Sequence, residues 1–223
     1  MRFIRDTDAV ALRAHLEKTM GGPVLLDLFI EPKSAIAVPG HPECELCDET
    51  RALVEEVASL SNRITLTVHD VRDESGPARD LGVSRVPTLV LRGAARGVVR
   101  YLGIPAGLAL GGLLGDLATV SRGTTTLREE SRMLLASVTK PVHVQVFMTM
   151  TCPHCQNVAG LAHQAAVESR YLTADVIEIS EFPDLAAEYQ VRSVPMVVMN
   201  STVQLVGAQS EAAFVDAVRR AAS

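Results

Sequence analysis

The chain has 223 residues, a formal net charge of −5, 48% hydrophobic residues and 21% charged residues. This composition is typical of a globular protein, and the lack of a dense Lys and Arg cluster argues against a nucleic-acid partner. The first residues lack the apolar stretch of a secretory signal, and the longest low-charge stretch, 101–114, is too short to span a bilayer. We therefore expect a cytoplasmic protein with no membrane role.

The hydrophobic pattern of the first half predicts alternating helices and strands. A helix capped by residues 6–8 ends before Gly21, and the apolar run 24–30 is typical of a strand buried on both faces. The later predicted elements are a helix over 47–60, a strand over 64–71, a short helix over 77–81, a hairpin of 87–91 and 97–102, and a helix that Pro105 opens and that ends near residue 120.

The second half repeats this order. Its predicted elements are a helix over 128–138, a strand over 142–147, a helix over 153–169, a strand over 174–179, a short helix over 183–189, a hairpin of 196–199 and 203–206, and a helix over 211–222. This order predicts an α/β fold with a mixed central sheet and helices on both faces. The polar stretch 121–126 is the best boundary, which divides the chain into domains 1–121 and 122–223.

Two Cys-x-x-Cys motifs account for all four cysteines, Cys44 with Cys47 and Cys152 with Cys155. A Val-Pro dipeptide follows each motif, and the interval from the leading cysteine to the proline is 87 − 44 = 43 residues in the first half and 195 − 152 = 43 in the second. The equal intervals indicate one redox unit duplicated in tandem.

The duplication is interrupted once. The two opening strands align Pro23 with Pro141, a shift of 141 − 23 = 118, whereas the two motifs align at a shift of 152 − 44 = 108. The first half therefore carries ten additional residues, which we place within 31–43, directly before its motif.

The motifs predict thiol–disulfide chemistry. A Cys-x-x-Cys at the start of a helix places its two sulfurs one turn apart, within disulfide range. The helix N-terminus favours the thiolate of the leading cysteine, which is the attacking species in exchange. We therefore predict Cys152 as nucleophile and Cys155 as resolving thiol, with Cys44 and Cys47 in the same roles at the first site.

The charges around the two motifs differ. Between residues 43 and 56 there is one base, Arg51, against six acids, Glu43, Glu45, Asp48, Glu49, Glu55 and Glu56, whereas residues 148–167 contain no acid. Each acid disfavours a thiolate by about 1 kcal/mol at ~4 Å in a water-like dielectric. His154 lies between the second pair of cysteines. The second site is predicted to be the more reactive.

Two acids are candidates for proton transfer. Asp27, in an otherwise apolar strand, is either a buried acid that serves the first site or a solvated edge residue. Its counterpart in the second half is Gln145, so the second site has no acid there. Glu178 is the substitute candidate, although capping of the adjacent helix explains it equally well.

A Cys₄ zinc module is the alternative from a different functional class. Zinc ribbons usually place their cysteine pairs about 15–20 residues apart, whereas these two pairs bracket a whole domain. The spacing therefore argues against a metal site.

Residues 149–155 together with 193–195 resemble the active site of thioredoxins and glutaredoxins. With the tandem repeat and the joining stretch 100–107, the whole chain resembles the protein disulfide oxidoreductases of thermophiles, glutaredoxin-like proteins with two thioredoxin-like domains. The resemblance implies that both Val-Pro bonds are cis and pack against the disulfides. It also implies that substrate lies against Pro153, His154, Val194 and Pro195 at the second site and against Val86 and Pro87 at the first.

The same resemblance implies an activity and its partners. The expected reaction is dithiol exchange on protein disulfides, with no cofactor beyond the redox-active disulfides and with a thioredoxin reductase as electron source. The first motif is expected to be accessory or to recycle the second. An alternative, from similarity to the tandem region of the alkyl hydroperoxide reductase flavoprotein, is electron donation to a peroxidase, with a peroxiredoxin as partner.

Overall fold

The computed structural model describes residues 2–31, 44–73 and 76–223. The ten-residue insertion expected within 31–43, and with it Glu43, lies outside the described residues except for Glu31. The elements of the first half are α1 (Asp6–Thr19), β1 (Val24–Ile30), α2 (Cys47–Ala58), β2 (Ile64–Asp70), α3 (Pro77–Asp80), β3 (Thr88–Arg92), β4 (Val98–Leu102) and α4 (Leu108–Arg122).

The second half has the same succession. Its elements are α5 (Glu129–Ala136), β5 (Val142–Met148), α6 (Pro153–Glu168), β6 (Leu172–Glu178), α7 (Pro183–Glu188), β7 (Met196–Met199), β8 (Val203–Val206) and α8 (Glu211–Ala221). None of the helices in the described ranges is both long and apolar enough to cross a membrane.

All eight strands form one continuous sheet in the order β2-β1-β3-β4-β6-β5-β7-β8. In each half the strand that precedes the Cys-x-x-Cys motif, β1 or β5, lies between a parallel and an antiparallel neighbour. The antiparallel neighbour is the first strand of a β-hairpin. The halves join through parallel pairing of β4 with β6, from Val98 with Thr173 to Leu102 with Ile177. The predicted fold class is confirmed, and the joined sheet is a feature that the sequence pattern did not predict.

The joined sheet fixes where the two motifs lie. β1 is antiparallel to β3 and β3 to β4, whereas β4, β6 and β5 are mutually parallel, so β1 and β5 point the same way. Both motifs therefore follow a strand at the same edge of the sheet. Four strand spacings separate β1 from β5, about 19 Å at ~4.8 Å per spacing.

The two faces of the sheet are covered unequally. One large apolar core includes side chains from α1, α2, α4, α5, α6 and α8, and Cys47 and Cys155 belong to it. The other face carries two smaller clusters, centred on Phe29 and Phe147, which are covered by the short helices α3 and α7. The helices that begin at the motifs therefore pack on the same face.

A buried ion pair fastens the junction between the halves. The Arg100 guanidinium on β4 donates two hydrogen bonds to Asp175 on β6, at 2.6 and 2.9 Å, and a third and fourth to the carbonyls of Leu81 and Gly82. Burial by itself would raise the pKa of Asp175, but hydrogen bonds from His143 and Arg100 hold that pKa below its ordinary value. The carboxylate is therefore charged and fully paired at neutral pH.

A second buried polar cluster joins α4 to α6. The Asp116 carboxylate accepts a hydrogen bond from the Tyr101 hydroxyl at 2.5 Å and lies 2.6 Å from Nδ1 of His163. The other ring nitrogen of His163 lies 3.1 Å from the Arg100 carbonyl oxygen. Burial, followed by the charge of Asp116, raises the pKa of Tyr101 well above its ordinary value. Polar contacts as well as the core thus hold the two halves in a fixed arrangement.

Candidate active sites

Each motif forms its own disulfide. The bonds join Cys44 to Cys47 and Cys152 to Cys155, with Cα–Cα distances of 5.5 and 5.4 Å. The leading cysteine is partly exposed at both sites, whereas Cys47 is 2% exposed and Cys155 is fully buried. This asymmetry is what an attacking and a resolving thiol require, because only the leading sulfur can be reached by a substrate disulfide.

A cis proline accompanies each disulfide. The Val86–Pro87 and Val194–Pro195 bonds are both cis, which confirms the expectation from the family resemblance. Pro87 directly precedes β3, which pairs with β1, and Pro195 directly precedes β7, which pairs with β5. Val86 and Val194 are partly buried against the core that contains the two buried cysteines.

The second motif lies at the N-terminus of a long helix. Cys152 is the N-cap of the 16-residue α6, Pro153 occupies its first turn, and that turn contains no acid. The Cys152 N–H donates to the Thr149 carbonyl oxygen at 3.1 Å, which closes the turn after β5. The unpaired N–H groups and the positive end of the helix dipole therefore lie beside the Cys152 sulfur.

The first motif is placed differently. α2 begins at Cys47 with Leu46 as its N-cap, so Cys44 precedes the cap by two residues. Two acids, Asp48 and Glu49, occupy the first turn and oppose the favourable field of the helix. Of the two leading cysteines, only Cys152 is itself a helix cap.

Not all acids counted around the first motif act on it. Glu55 pairs with Arg51 at 2.8 Å along α2. Glu56 accepts hydrogen bonds from the backbone N–H groups of Phe3 and Ile4, so it is occupied at the N-terminal segment. The acids nearest to the first motif in the described residues are Glu45, between its two cysteines, and Asp48 and Glu49, in the first turn of α2, where a negative charge disfavours a thiolate.

The difference in charge and helix placement predicts different alkylation rates. After full reduction at pH 7, Cys152 is expected to react with iodoacetamide about ten times faster than Cys44. The reason is that about 1.4 kcal/mol of additional thiolate stabilisation gives a tenfold larger thiolate population. A time course resolved by peptide mass spectrometry measures both rates in one sample. Equal or reversed rates would show that the local charges do not set the reactivity.

Asp27 is buried, so its interpretation as a solvated edge residue is wrong. Its carboxylate accepts a hydrogen bond from Nε of Arg92 at 2.6 Å and lies 2.8 Å from Nε2 of His69. Neighbouring residues of β1 alternate between faces, and Leu26 and Leu28 lie in the core that contains Cys47. Asp27 is therefore on the opposite face of the sheet, and its proton-transfer role stays a prediction.

Glu178, the other candidate acid, is the last residue of β6 and is buried beside Met148 of β5. Its Oε2 accepts hydrogen bonds from the N–H groups of Ser180 and Glu181, at 2.6 and 3.2 Å. These bonds close the turn that leads to α7. A role in proton transfer stays a prediction for Glu178 as well.

Glu181, a glutamate in a short loop, has no local sequence feature that singles it out. Its Oε1 accepts a hydrogen bond from the Ile104 N–H at 2.7 Å, while its buried Oε2 has no partner among the described residues. Burial, opposed by that hydrogen bond and reinforced by the charge of Glu178, raises the pKa of Glu181 to about 7. A titrating carboxyl group thus lies between the halves, at the edge that carries both motifs.

Glu181 makes stability depend on pH. Because its folded-state pKa of about 7 exceeds the ordinary value of 4.5, its contribution is present below pH 4.5 and is lost as the pH rises through 7. Glu181→Gln keeps an acceptor for Ile104 and is expected to stabilise the protein at pH 8 by about 1 kcal/mol after allowance for solvent screening, with no gain at low pH. Urea unfolding at both pH values checks this, and an equal effect at both would contradict it.

The described residues do not contain a group of three or more His, Cys, Asp or Glu side chains that could hold a metal ion. The geometry argues against the Cys₄ zinc alternative. Four cysteines sharing one zinc ion need all their sulfurs at about 2.3 Å from the metal, whereas the two motifs follow strands that are four positions apart in the sheet.

Comparison with known proteins agrees with this geometry. The thioredoxin domain model matches residues 142–219. A thioredoxin of Methanocaldococcus jannaschii is 30% identical over 80 residues, which cover 35% of this chain and 94% of that protein. A probable thioredoxin of Methanothermobacter thermautotrophicus is 30% identical over 78 residues, which cover 34% of this chain and 92% of that protein.

Solved structures match both halves at once. A protein disulfide oxidoreductase from Aeropyrum pernix is 28% identical with a TM-score of 0.87, over 100% of this chain and 95% of that one. An alkylhydroperoxide reductase from Enterococcus faecalis, at 21% identity and a TM-score of 0.85 over 97% of this chain and 100% of that one, shares the fold. The resemblance to two-unit protein disulfide oxidoreductases is thus confirmed, and the chain belongs to the thioredoxin family as a thiol–disulfide oxidoreductase.

Proposed function

We propose that this protein exchanges disulfides with other proteins mainly through its second site. The observation that carries the proposal is the position of Cys152, a partly exposed helix cap with no acid in the first helical turn, bonded to the fully buried Cys155. The related oxidoreductase of Aeropyrum pernix, whose name states activity on protein disulfides, supports the substrate class.

The reaction begins from the reduced site. The Cys152 thiolate attacks one sulfur of the substrate disulfide, the substrate S–S bond breaks, and the departing sulfur takes up a proton. Deprotonated Cys155 then attacks Cys152 in this mixed disulfide, which forms the Cys152–Cys155 bond and releases the second substrate thiol. Two electrons pass to the substrate, and an external dithiol or a thioredoxin reductase restores the reduced site.

The residues beside Cys152 position the substrate. Pro153 and His154 are exposed at the start of α6, and the half-buried Val194 precedes the cis bond to Pro195. In this proposal the Val194 backbone pairs with an extended substrate strand. Val86 and Pro87 give the first site the same arrangement, and Cys44 with Cys47 acts as an accessory or recycling pair.

A cytoplasmic location fits this function, since a reducing compartment keeps such dithiols available for exchange. Donation of electrons to a peroxidase, with a peroxiredoxin as partner, is the alternative within the same chemistry. We do not adopt it, because the likeness to the alkylhydroperoxide reductase establishes the fold alone.

Reduction of insulin tests the proposal. With dithiothreitol as electron source, the wild-type protein is expected to accelerate precipitation of the insulin B chain, and the Cys44→Ser/Cys152→Ser variant, which lacks both leading thiols, is not. A thioredoxin reductase with NADPH, in place of dithiothreitol, tests the proposed electron source. Insulin reduction by the wild type no faster than by the double variant would overturn the function.

A further inference from the structure

The chain that connects β4 to α4, residues 103–107, passes both active sites. The Gly103 N–H donates to the Pro87 carbonyl oxygen at 2.9 Å, beside the cis bond of the first site. At the other end, the Leu108 N–H donates to the Met150 carbonyl oxygen at 3.1 Å. The first half of the chain is therefore bonded directly to the segment that leads into Cys152.

The close approach to Met150 depends on the local backbone. Gly107 has a φ of +59°, and a Cβ atom at this position would lie 3.1 Å from the Met150 carbonyl oxygen. Glycine satisfies both restrictions at once, since it tolerates positive φ and has no Cβ. Leu108, the first residue of α4, is thereby held against the turn that carries Cys152.

Leu108 is a large apolar side chain that the fold leaves 47% exposed. Met150, whose carbonyl oxygen accepts the hydrogen bond from the Leu108 N–H, is partly buried on the same core as Cys152. We call Leu108 and Met150 the docking rim, which combines one apolar residue from each half of the chain. The more exposed of the two, Leu108, is thus supplied by the half of the chain that does not contain Cys152.

The first site receives a different contribution from the other half. There the contact is ionic, because Arg85, two residues before Pro87, pairs with Asp184 of α7 at 2.6 Å. Both side chains of this pair are partly exposed. One site therefore has an apolar border across the junction and the other has a charged one.

We propose that Leu108 is a specificity-determining contact of the second site, where it binds apolar residues that flank the disulfide of an extended polypeptide. This rests on the proposed function at Cys152. The partner is uncharged in that region because the rim and residues 148–167 contain no Asp, Glu, Lys or Arg that could pair with a charged segment. Met150 precedes Cys152 by two residues and its carbonyl oxygen is bonded to the Leu108 N–H, so an extended chain whose disulfide lies at Cys152 is within reach of Leu108.

Paired peptide substrates test this inference in a Cys44→Ser background, which isolates the second site. Two peptides carry the same disulfide, one flanked by leucine and valine and the other by serine. Leu108→Ser keeps the backbone bond to Met150 and is expected to lower the ratio of kcat/KM, apolar over polar peptide, by about three- to ten-fold through KM. Leu108→Met is expected to restore the ratio, and Met133→Ser, which changes a 64% exposed side chain on α5, serves as matched control.

The outcomes separate the two proposals. The role of Leu108 would be overturned if the ratio of kcat/KM, apolar over polar peptide, were the same in Leu108→Ser as in Met133→Ser. An equal loss of kcat/KM for both peptides would also overturn it, because such a loss would indicate that Leu108 positions the cysteines instead of contacting the substrate. Failure of the Cys44→Ser parent to reduce hydroxyethyl disulfide or either peptide would contradict the proposed function itself.

Discussion

Replacing Arg100 with methionine is expected to destabilise the protein by about 3–5 kcal/mol, because it leaves the Asp175 carboxylate buried without its main partner. The side chains of Arg100 and Asp175 are only 10% and 4% exposed, so water cannot replace the lost hydrogen bonds. The carbonyls of Leu81 and Gly82 lose their donor as well. Urea unfolding at pH 7 measures the loss.

Two further variants identify the cause of this loss. Arg51→Met breaks an exposed pair within α2 and is expected to cost no more than about 0.5 kcal/mol. Arg100→Met/Asp175→Leu removes both charges and is expected to regain at least half of the loss. An Arg100→Met protein as stable as Arg51→Met would show that the buried pair does not hold the junction.

The stabilisation by this pair also has a defined pH range. The pKa of Asp175 lies below its ordinary value of 3.8, so the contribution is present above that pH and is lost as the pH falls through the lowered value. Acid unfolding of the wild type is therefore expected to include the protonation of Asp175. In the Arg100→Met protein this part of the acid sensitivity is reduced.

Cys152→Ser is expected to lower dithiothreitol-driven insulin reduction roughly ten-fold, because serine cannot form the mixed disulfide and only the less reactive Cys44 remains. Cys44→Ser is expected to retain more than about half of the wild-type rate, since the first motif is accessory in the proposed function. The two assays use equal protein concentrations and the same insulin sample. Comparable losses in both variants would indicate a relay between the sites.

The geometry argues against such a relay within one molecule. The motifs follow β1 and β5, which are four strand spacings apart, about 19 Å. The buried Arg100–Asp175 pair and the Tyr101–Asp116–His163 cluster oppose a relative movement of the halves. Transfer of electrons between the sites therefore requires a second molecule or a soluble dithiol.

The local hydrophobic pattern was sufficient to predict most of the helices and strands. The apolar run of β1 and the β7–β8 hairpin have the bounds that the sequence predicts, because burial on both faces or a short turn between two apolar runs leaves a clear local pattern. The repeated succession of helices and strands along the chain, and the mixed sheet that it predicts, are confirmed in both halves. The division into domains 1–121 and 122–223 remains a prediction.

Two helix starts were predicted wrongly. Pro105 does not open α4, which begins at Leu108, because the preceding residues form the loop that contacts both sites. The expected side-chain cap of α1 by residues 6–8 is also absent, since the N-cap is Arg5, without a side-chain hydrogen bond, and Asp6 and Asp8 lie in the first turn. For α4, a contact beyond the local sequence, the bond from the Leu108 N–H to the Met150 carbonyl oxygen, accompanies the later start.

The contacts between the halves could not be predicted from the sequence. Pairing of β4 with β6 joins residues about 75 positions apart, as in Arg100 with Asp175, and leaves no periodic signal in either strand. A glutamate such as Glu181 or a leucine such as Leu108 has a functional interpretation only once the loop 103–107 is seen beside the second motif. The dominant role of Cys152, in contrast, was predicted from local charge alone, and its position as a helix cap adds a second reason.

Trapping a mixed disulfide shows directly whether exchange proceeds through Cys152, because both leading cysteines compete within one molecule. In the Cys47→Ser/Cys155→Ser variant both resolving thiols are absent, so either leading cysteine that attacks a substrate disulfide stays bonded to it. The reduced variant is mixed with a limiting amount of oxidised insulin, and peptide mass spectrometry identifies the attached cysteine. Most of the adduct is expected on Cys152, and an adduct found mainly on Cys44 would contradict the dominant role of Cys152.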